Sequence, residues 1–177
     1  MSAPAGFGKT TLLAEWLGET PNDDRSVAWL SLDPADNEPA SFWTYVVTAL
    51  QGAVPSVGSS ALELITSSSP LPTDLVFTTL LNELAAAPGD VWLVLDDYHL
   101  VDNREVTQGM TFLLEHLPPH VHVVLSTRAD PDLPLARWRG RGELVEIRAA
   151  DLRFTSDEAA SYPVSYTHLT LPTTPYV

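Results

Sequence analysis

The chain has 177 residues, enough for one compact domain with a sizeable core, and its 45% apolar and 18% charged content is ordinary for a globular protein. Its formal net charge is −14, so the surface repels phosphate backbones on average, which disfavours a nucleic-acid-binding role for this stretch itself. There is no cysteine, which excludes disulfides and thiolate metal sites. No apolar run reaches membrane-spanning length and no basic-then-apolar leader begins the chain, so the expectation is a cytoplasmic protein without a membrane partner.

The first sixteen residues read "MSAPAGFGKTTLLAEW". Residues 3–10 keep the phosphate-loop spacing G-x-x-x-x-G-K-[ST], with Ala3 in place of the first glycine. Gly6 and Gly8 let the backbone curl until successive N–H groups face phosphate oxygens, and the helix "KTTLLAEWLGE" adds its positive dipole end. Lys9, the only lysine in the chain, is expected on the β- and γ-phosphates of ATP and the Thr10 hydroxyl on Mg²⁺. Phe7 and Thr11 complete the set expected to contact nucleotide. Leu12, Leu13, Trp16 and Leu17 share one face of that helix.

"SVAWLSL" reads as a buried strand. Asp36 and Asn37 are suited to cap the next helix, "EPASFWTYVVTALQGAV", with Pro39 in its first turn and Phe42, Val46, Ala49 and Leu50 at helical spacing. Asp33 and Asp36 resemble a cation pair, but capping accounts for them. Residues 58–72 are rich in Ser and Pro and are expected to be a partly ordered connection. "TDLVFTTLLNELAAAPG" is a third helix, stopped near Pro88 and Gly89.

"DVWLVLDDYHLV" is a strand that runs into acids at its carboxyl end, where open α/β sheets bind ligands. There Asp96 is expected to hold Mg²⁺ through water and Asp97 to polarise an attacking water. His99 is expected to pack beside the site rather than act as a base. "REVTQGMTFLLEHLPP" is a helix, and "HVHVVLSTR" a strand ending at Ser126, Thr127 and Arg128. Arg128 reads equally as a γ-phosphate contact or as an ion-pair partner for Asp97 or Asp130. His120 and His122 share a strand face but lack a third ligand, so an ordinary pair is favoured over a metal site. "ARWRGRGE" reads as a solvated basic loop with Arg137, Arg139 and Arg141 around Trp138, and "GELVEIRA" as a last strand. Strands at 27–32, 91–95, 121–125 and 144–147, alternating with helices and apolar throughout, predict an α/β fold with a parallel sheet of the P-loop type.

The strings "SAPAGFGKTTLLAEW", "AWLSLDPADNEPASFW", "LVLDDYHLV" and "RAADLRFTSDEA", in this order, resemble the nucleotide-binding module of MalT-like, LuxR-type regulators of the STAND class of ATPases. The resemblance covers residues 2–161 and implies an ATP-binding switch that hydrolyses slowly, with Gly6, Gly8, Lys9 and Thr10 on phosphate and Mg²⁺. It places Asp96 and Asp97 in the Walker-B pair and Arg128 at the sensing position. It also implies an inducer or protein effector, self-association, and DNA reached only through a C-terminal helix-turn-helix of the parent protein. The rival reading is a P-loop enzyme proper, a kinase or a DNA-dependent ATPase; the chain supplies no acceptor-substrate pocket and its acidity disfavours DNA.

A strand should precede a phosphate loop, and only Met1 and Ser2 stand before Ala3, so the first strand is expected to be missing from a domain spanning 1–154. Residues 155–162 read as the start of a helical lid. Residues 163–177, "PVSYTHLTLPTTPYV", resemble a translated transposase-type sequencing adapter and are set aside from functional reasoning.

Overall fold

Three apolar runs pair into one parallel sheet in the order β1-β2-β3, with β1 at Ser26–Ser31, β2 at Val91–Asp96 and β3 at Val121–Leu125. The computed structural model describes residues 1–18, 25–67 and 71–153; the lid and tail expected at 155–162 and 163–177 lie outside the described residues. The central β2 is buried at every position but Trp92, so it reads as a continuous apolar run rather than an alternating one. β1 lies one residue earlier than expected; Leu32 adds one further bond, donating its N–H to the Asp96 carbonyl at 3.0 Å.

Six α-helices accompany the sheet among the described residues: α1 Lys9–Gly18, α2 Pro39–Ala53, α3 Ser59–Ser67, α4 Thr73–Ala85, α5 Arg104–Glu115 and α6 Leu135–Arg141. Ala28, Val91, Leu93, Leu95 and Val121 join Phe42, Trp43, Val46, Leu50, Phe77, Leu80, Met110 and Leu113 in one core cluster, which places α2, α4 and α5 over a single sheet face. Gly109 lets α5 approach: a Cβ there would stand 2.6 Å from Phe77 and 2.7 Å from Trp43. The opposite face carries α1, whose Trp16 meets Trp92 edge-on at 5.0 Å. Of the four α1 residues that share one face, only Leu13 is buried, while Leu12 and Trp16 are 41% and 42% exposed. A helix at the sheet margin buries a narrow stripe, not a broad face.

Several local expectations are corrected. Residues 59–67 form α3 and not a loose connection, because the Glu83 carboxylate of α4 accepts from the Gly58 and Ser60 N–H groups at 2.6 and 3.2 Å and so caps the helix from outside. α2 is capped by Glu38, which accepts from the Ser41 N–H at 2.8 Å, and not by Asp36 or Asn37. Asp33 and Asp36 form a capping box around the 3₁₀ turn Pro34–Asn37. "ARWRGR" is helical: Gly142, at φ 70°, ends α6 and Trp138 is 7% exposed. Each of its arginines meets a carboxylate, Arg137 at Glu115, Arg139 at Glu146 and Arg141 at Glu143.

Residues 144–147 are not a strand. Their neighbour is the short segment 1–3, which reaches them through one bridge, Ser2 to Arg148, with the Ser2 N–H on the Ile147 carbonyl at 2.9 Å. A single bridge cannot build a ladder. On its other side Ser2 bridges Thr127, the Thr127 N–H donates to the Met1 carbonyl at 3.0 Å, and the Met1 ammonium donates to the Leu125 carbonyl at 2.7 Å. Residues 1–3 therefore lie between the end of β3 and residues 147–148, and lead directly into the glycine loop.

Candidate functional site

The carboxyl ends of β2 and β3 and the N-terminus of α1 converge. Gly6 and Gly8 adopt φ of 81° and 70°, which the curl of the loop requires. A Cβ at either would meet no atom within 4 Å, so the requirement is backbone conformation rather than space. The first turn of α1 carries no acid to offset its dipole, and Thr10 and Thr11 are exposed there. Phe7 is half-buried beside them. Lys9 is 7% exposed, and its ammonium donates to the Ala3 and Pro4 carbonyls at 2.8 and 3.1 Å, folding back over the loop it belongs to.

Asp96 is 3% exposed at the end of β2. Its Oδ2 accepts from the Thr10 hydroxyl at 2.8 Å and its Oδ1 from the Asp97 N–H at 3.0 Å. Two segments 86 residues apart thus share one buried carboxylate. Asp97 takes the left-handed conformation, φ 56° and ψ 35°, the one non-glycine among the described residues to do so. Aspartate tolerates this region better than most residues, and such outliers gather at functional sites. The turn sends the chain into the 3₁₀ segment Tyr98–Leu100, anchored by the Tyr98 N–H on the Ser126 carbonyl at 2.8 Å.

The buried side-chain polar atoms without a hydrogen-bond partner, among the described residues, are the Tyr98 hydroxyl, both ring nitrogens of His99 and the Ser126 hydroxyl. All lie just past β2 and β3. His99 Nδ1 stands 3.7 Å from Asp97 Oδ1, beyond hydrogen-bond reach. Burial, and after it the Arg128 charge, hold the His99 pKa below its ordinary value, so the ring is neutral near pH 7. Burial likewise pushes the Tyr98 phenol up. Arg128 is exposed and makes no ion pair among the described residues; Asp130, one candidate partner, is bound by Arg148 instead. His120 donates to the Leu84 carbonyl at 3.0 Å and His122 lies tilted against Trp92 with ring centroids 4.4 Å apart, while no cluster of three potential metal ligands occurs among the described residues.

The geometry brings together Gly6, Gly8, Lys9, Thr10, Asp96 and Asp97. His99 packs beside these residues as expected from sequence; that its ring nitrogens are buried without partners becomes visible only in three dimensions.

No protein-family model matches the chain. It is 37% identical over 163 residues to the HTH-type transcriptional regulator MalT of Cronobacter sakazakii, covering 92% of this chain and 18% of that protein. Over nearly its whole length, this chain is MalT-like. MalT of Yersinia enterocolitica is 35% identical over 162 residues, again 92% of this chain and 18% of the relative. MalT of Vibrio parahaemolyticus is 36% identical over 160 residues, 90% of this chain and 17% of the relative. The MalT-like stretch thus spans less than a fifth of the length of the curated relatives it matches. No described helix is long and apolar enough to cross a membrane.

Proposed function

We propose that this chain is the nucleotide-binding switch module of a MalT-like transcriptional regulator, taking Mg-ATP at residues 3–10 and hydrolysing it slowly. The observation that carries this reading is the Thr10–Asp96 hydrogen bond at 2.8 Å, which joins the glycine loop to the acidic end of β2 beside a buried lysine. A hydroxyl and a carboxylate held this way, with a lysine folded over a curled loop, suit magnesium-bound triphosphate. When bound, magnesium would neutralise charge on the β- and γ-oxygens.

The chain's own groups then divide the work. Lys9 exchanges the Ala3 and Pro4 carbonyls for phosphate oxygens. Loop N–H groups and the first turn of α1 bind the remaining anionic oxygens. Asp97, turned out of the strand by its backbone, orients a water. His99 and Arg128 would contact the terminal phosphate and so distinguish ATP from ADP; the unpartnered ring nitrogens of His99 suit a polar ligand. A nucleotide that binds two conformations unequally shifts their balance by that difference alone. In the parent regulator an inducer or protein effector, self-association and a DNA-binding helix-turn-helix would act through regions beyond this chain.

Calorimetry with Mg-ATP and Mg-ADP tests the reading. Wild type should bind both, and Lys9→Ala neither. Asp97→Asn should bind Mg-ATP while losing roughly 10²–10⁴-fold in hydrolysis, the usual contribution of a positioned base. A wild-type chain that takes up no nucleotide with magnesium present sinks the proposal. Rapid turnover without effector would favour a metabolic enzyme instead.

A further inference from the structure

The His99 ring makes no hydrogen bond of its own, so its direction is inherited from the backbone of Tyr98–Leu100. One end of that turn is held by the Tyr98 N–H on Ser126. The other end is held by a residue far away in sequence. Asn37 Nδ2 donates to the Leu100 carbonyl at 2.9 Å, and Asn37 Oδ1 accepts from the Asp102 N–H at 2.7 Å. The Asn37 carbonyl in turn accepts from Asn103 Nδ2 at 2.9 Å, while Asn103 Oδ1 caps α5 by accepting from the Glu105 N–H at 2.8 Å.

Glu38 caps α2, and Asp33 with Asp36 closes the 3₁₀ turn, so Asn37 caps no α-helix, its Nδ2 making only a longer 3.4 Å bond to the Pro34 carbonyl of its own turn. Its planar amide offers a donor and an acceptor at once, which is what a neighbouring carbonyl and N–H require. Aspartate would set a carboxylate against the Leu100 carbonyl, and alanine would satisfy neither group. We propose that Asn37 is a positioning residue: its amide clamps the turn after β2 and so aims His99 and Asp97 at the bound triphosphate. This rests on the nucleotide reading above, deepening it with a residue that touches neither phosphate nor metal.

The test compares Asn37→Ala and Asn37→Asp with wild type on the full chain. Without nucleotide, hydrogen exchange at amides 98–102 should speed up by about tenfold or more, the scale of losing one net hydrogen bond or somewhat more. Mg-ADP affinity should stay within about twofold, because the clamp touches no phosphate contact, while hydrolysis falls roughly tenfold. Where hydrolysis is too slow to read, the preference for Mg-ATP over Mg-ADP should fall instead. Asn103→Asp keeps the α5 cap while removing the donor to Asn37, and should give a smaller shift in the same direction.

Exchange changing at residue 102 alone, with 98–100 as in wild type, would overturn the proposal. So would hydrolysis and ATP preference both at wild-type level in Asn37→Ala, or an equal loss of Mg-ADP affinity and hydrolysis, the mark of general damage. If wild type binds no nucleotide, the reading under Proposed function falls, while the exchange measurement still reports whether Asn37 holds the turn.

Discussion

The helical layer of α2, α4 and α5 and the margin that carries the glycine loop are held by different physics. In the first, Phe42, Val46, Leu80 and Met110 are fully removed from water and every contact is shared among several neighbours. In the second, residues 1–3 are tied by a handful of backbone bonds. Beside them runs an exposed ion network in which Arg148 meets Asp130 and Glu146, and Arg139 meets Glu146. The lesson is that a rigid sheet supports a site whose own attachment is light.

The contrast can be broken from the core side first. Phe42→Ala should destabilise by about 3–5 kcal/mol, the range for emptying a buried aromatic position, read as a lower denaturant midpoint. Gly109→Ala offers a test of sign. In an open helix it would stabilise by about 1 kcal/mol, but with Phe77 and Trp43 in the way it should destabilise by about 1–3 kcal/mol. A stabilised Gly109→Ala would show that α5 does not sit as close to α4 as described. Glu83→Ala should cost about 1 kcal/mol and speed exchange chiefly in α3, as loss of a helix cap does.

At the margin, Arg148→Ala should lower the melting temperature only slightly, and by less in high salt, because its pairs are exposed. The network also sets an acid limit. The hydrogen bond from Arg139, and after it that from Arg148, holds Glu146 down to about 2, and the Arg148 hydrogen bond holds Asp130 below the ordinary carboxylate range. Carboxylates depressed in the fold add stability above their unfolded pKa and lose it as pH falls through the folded one. Stability should therefore decline from the ordinary carboxylate range toward about pH 2, and Arg148→Ala should flatten that decline. An unchanged acid profile in Arg148→Ala would exclude Arg148 as a source of acid sensitivity and leave the Arg139–Glu146 pair as the one that sets it.

Much of the fold was legible in the chain because it is locally encoded. β2 and β3 follow from unbroken apolar runs, α2 from helical spacing with Pro39 in its first turn, and the end of α4 from the Pro88–Gly89 stop. The acids at the end of β2 were legible because position along a strand decides which end a residue occupies. Residues 59–67 were not, since their helix depends on a carboxylate from α4. Residues 144–147 misled for the opposite reason, having strand-like composition without a partner long enough to pair. Asn37 looked like a cap because asparagine before a helix usually is one.

By itself the sequence determined the curl of residues 3–10, the carboxylates that meet it and the apolar segments that bury one another, since backbone permissiveness and side-chain period are properties of neighbours in the chain. Only the tertiary structure decided that Lys9 folds onto its own loop, that residues 1–3 lie between β3 and residues 147–148, and that Asn37 grips a turn more than sixty residues away. Such bonds join groups that no local pattern relates. They form because the packed core has already brought their backbones within reach.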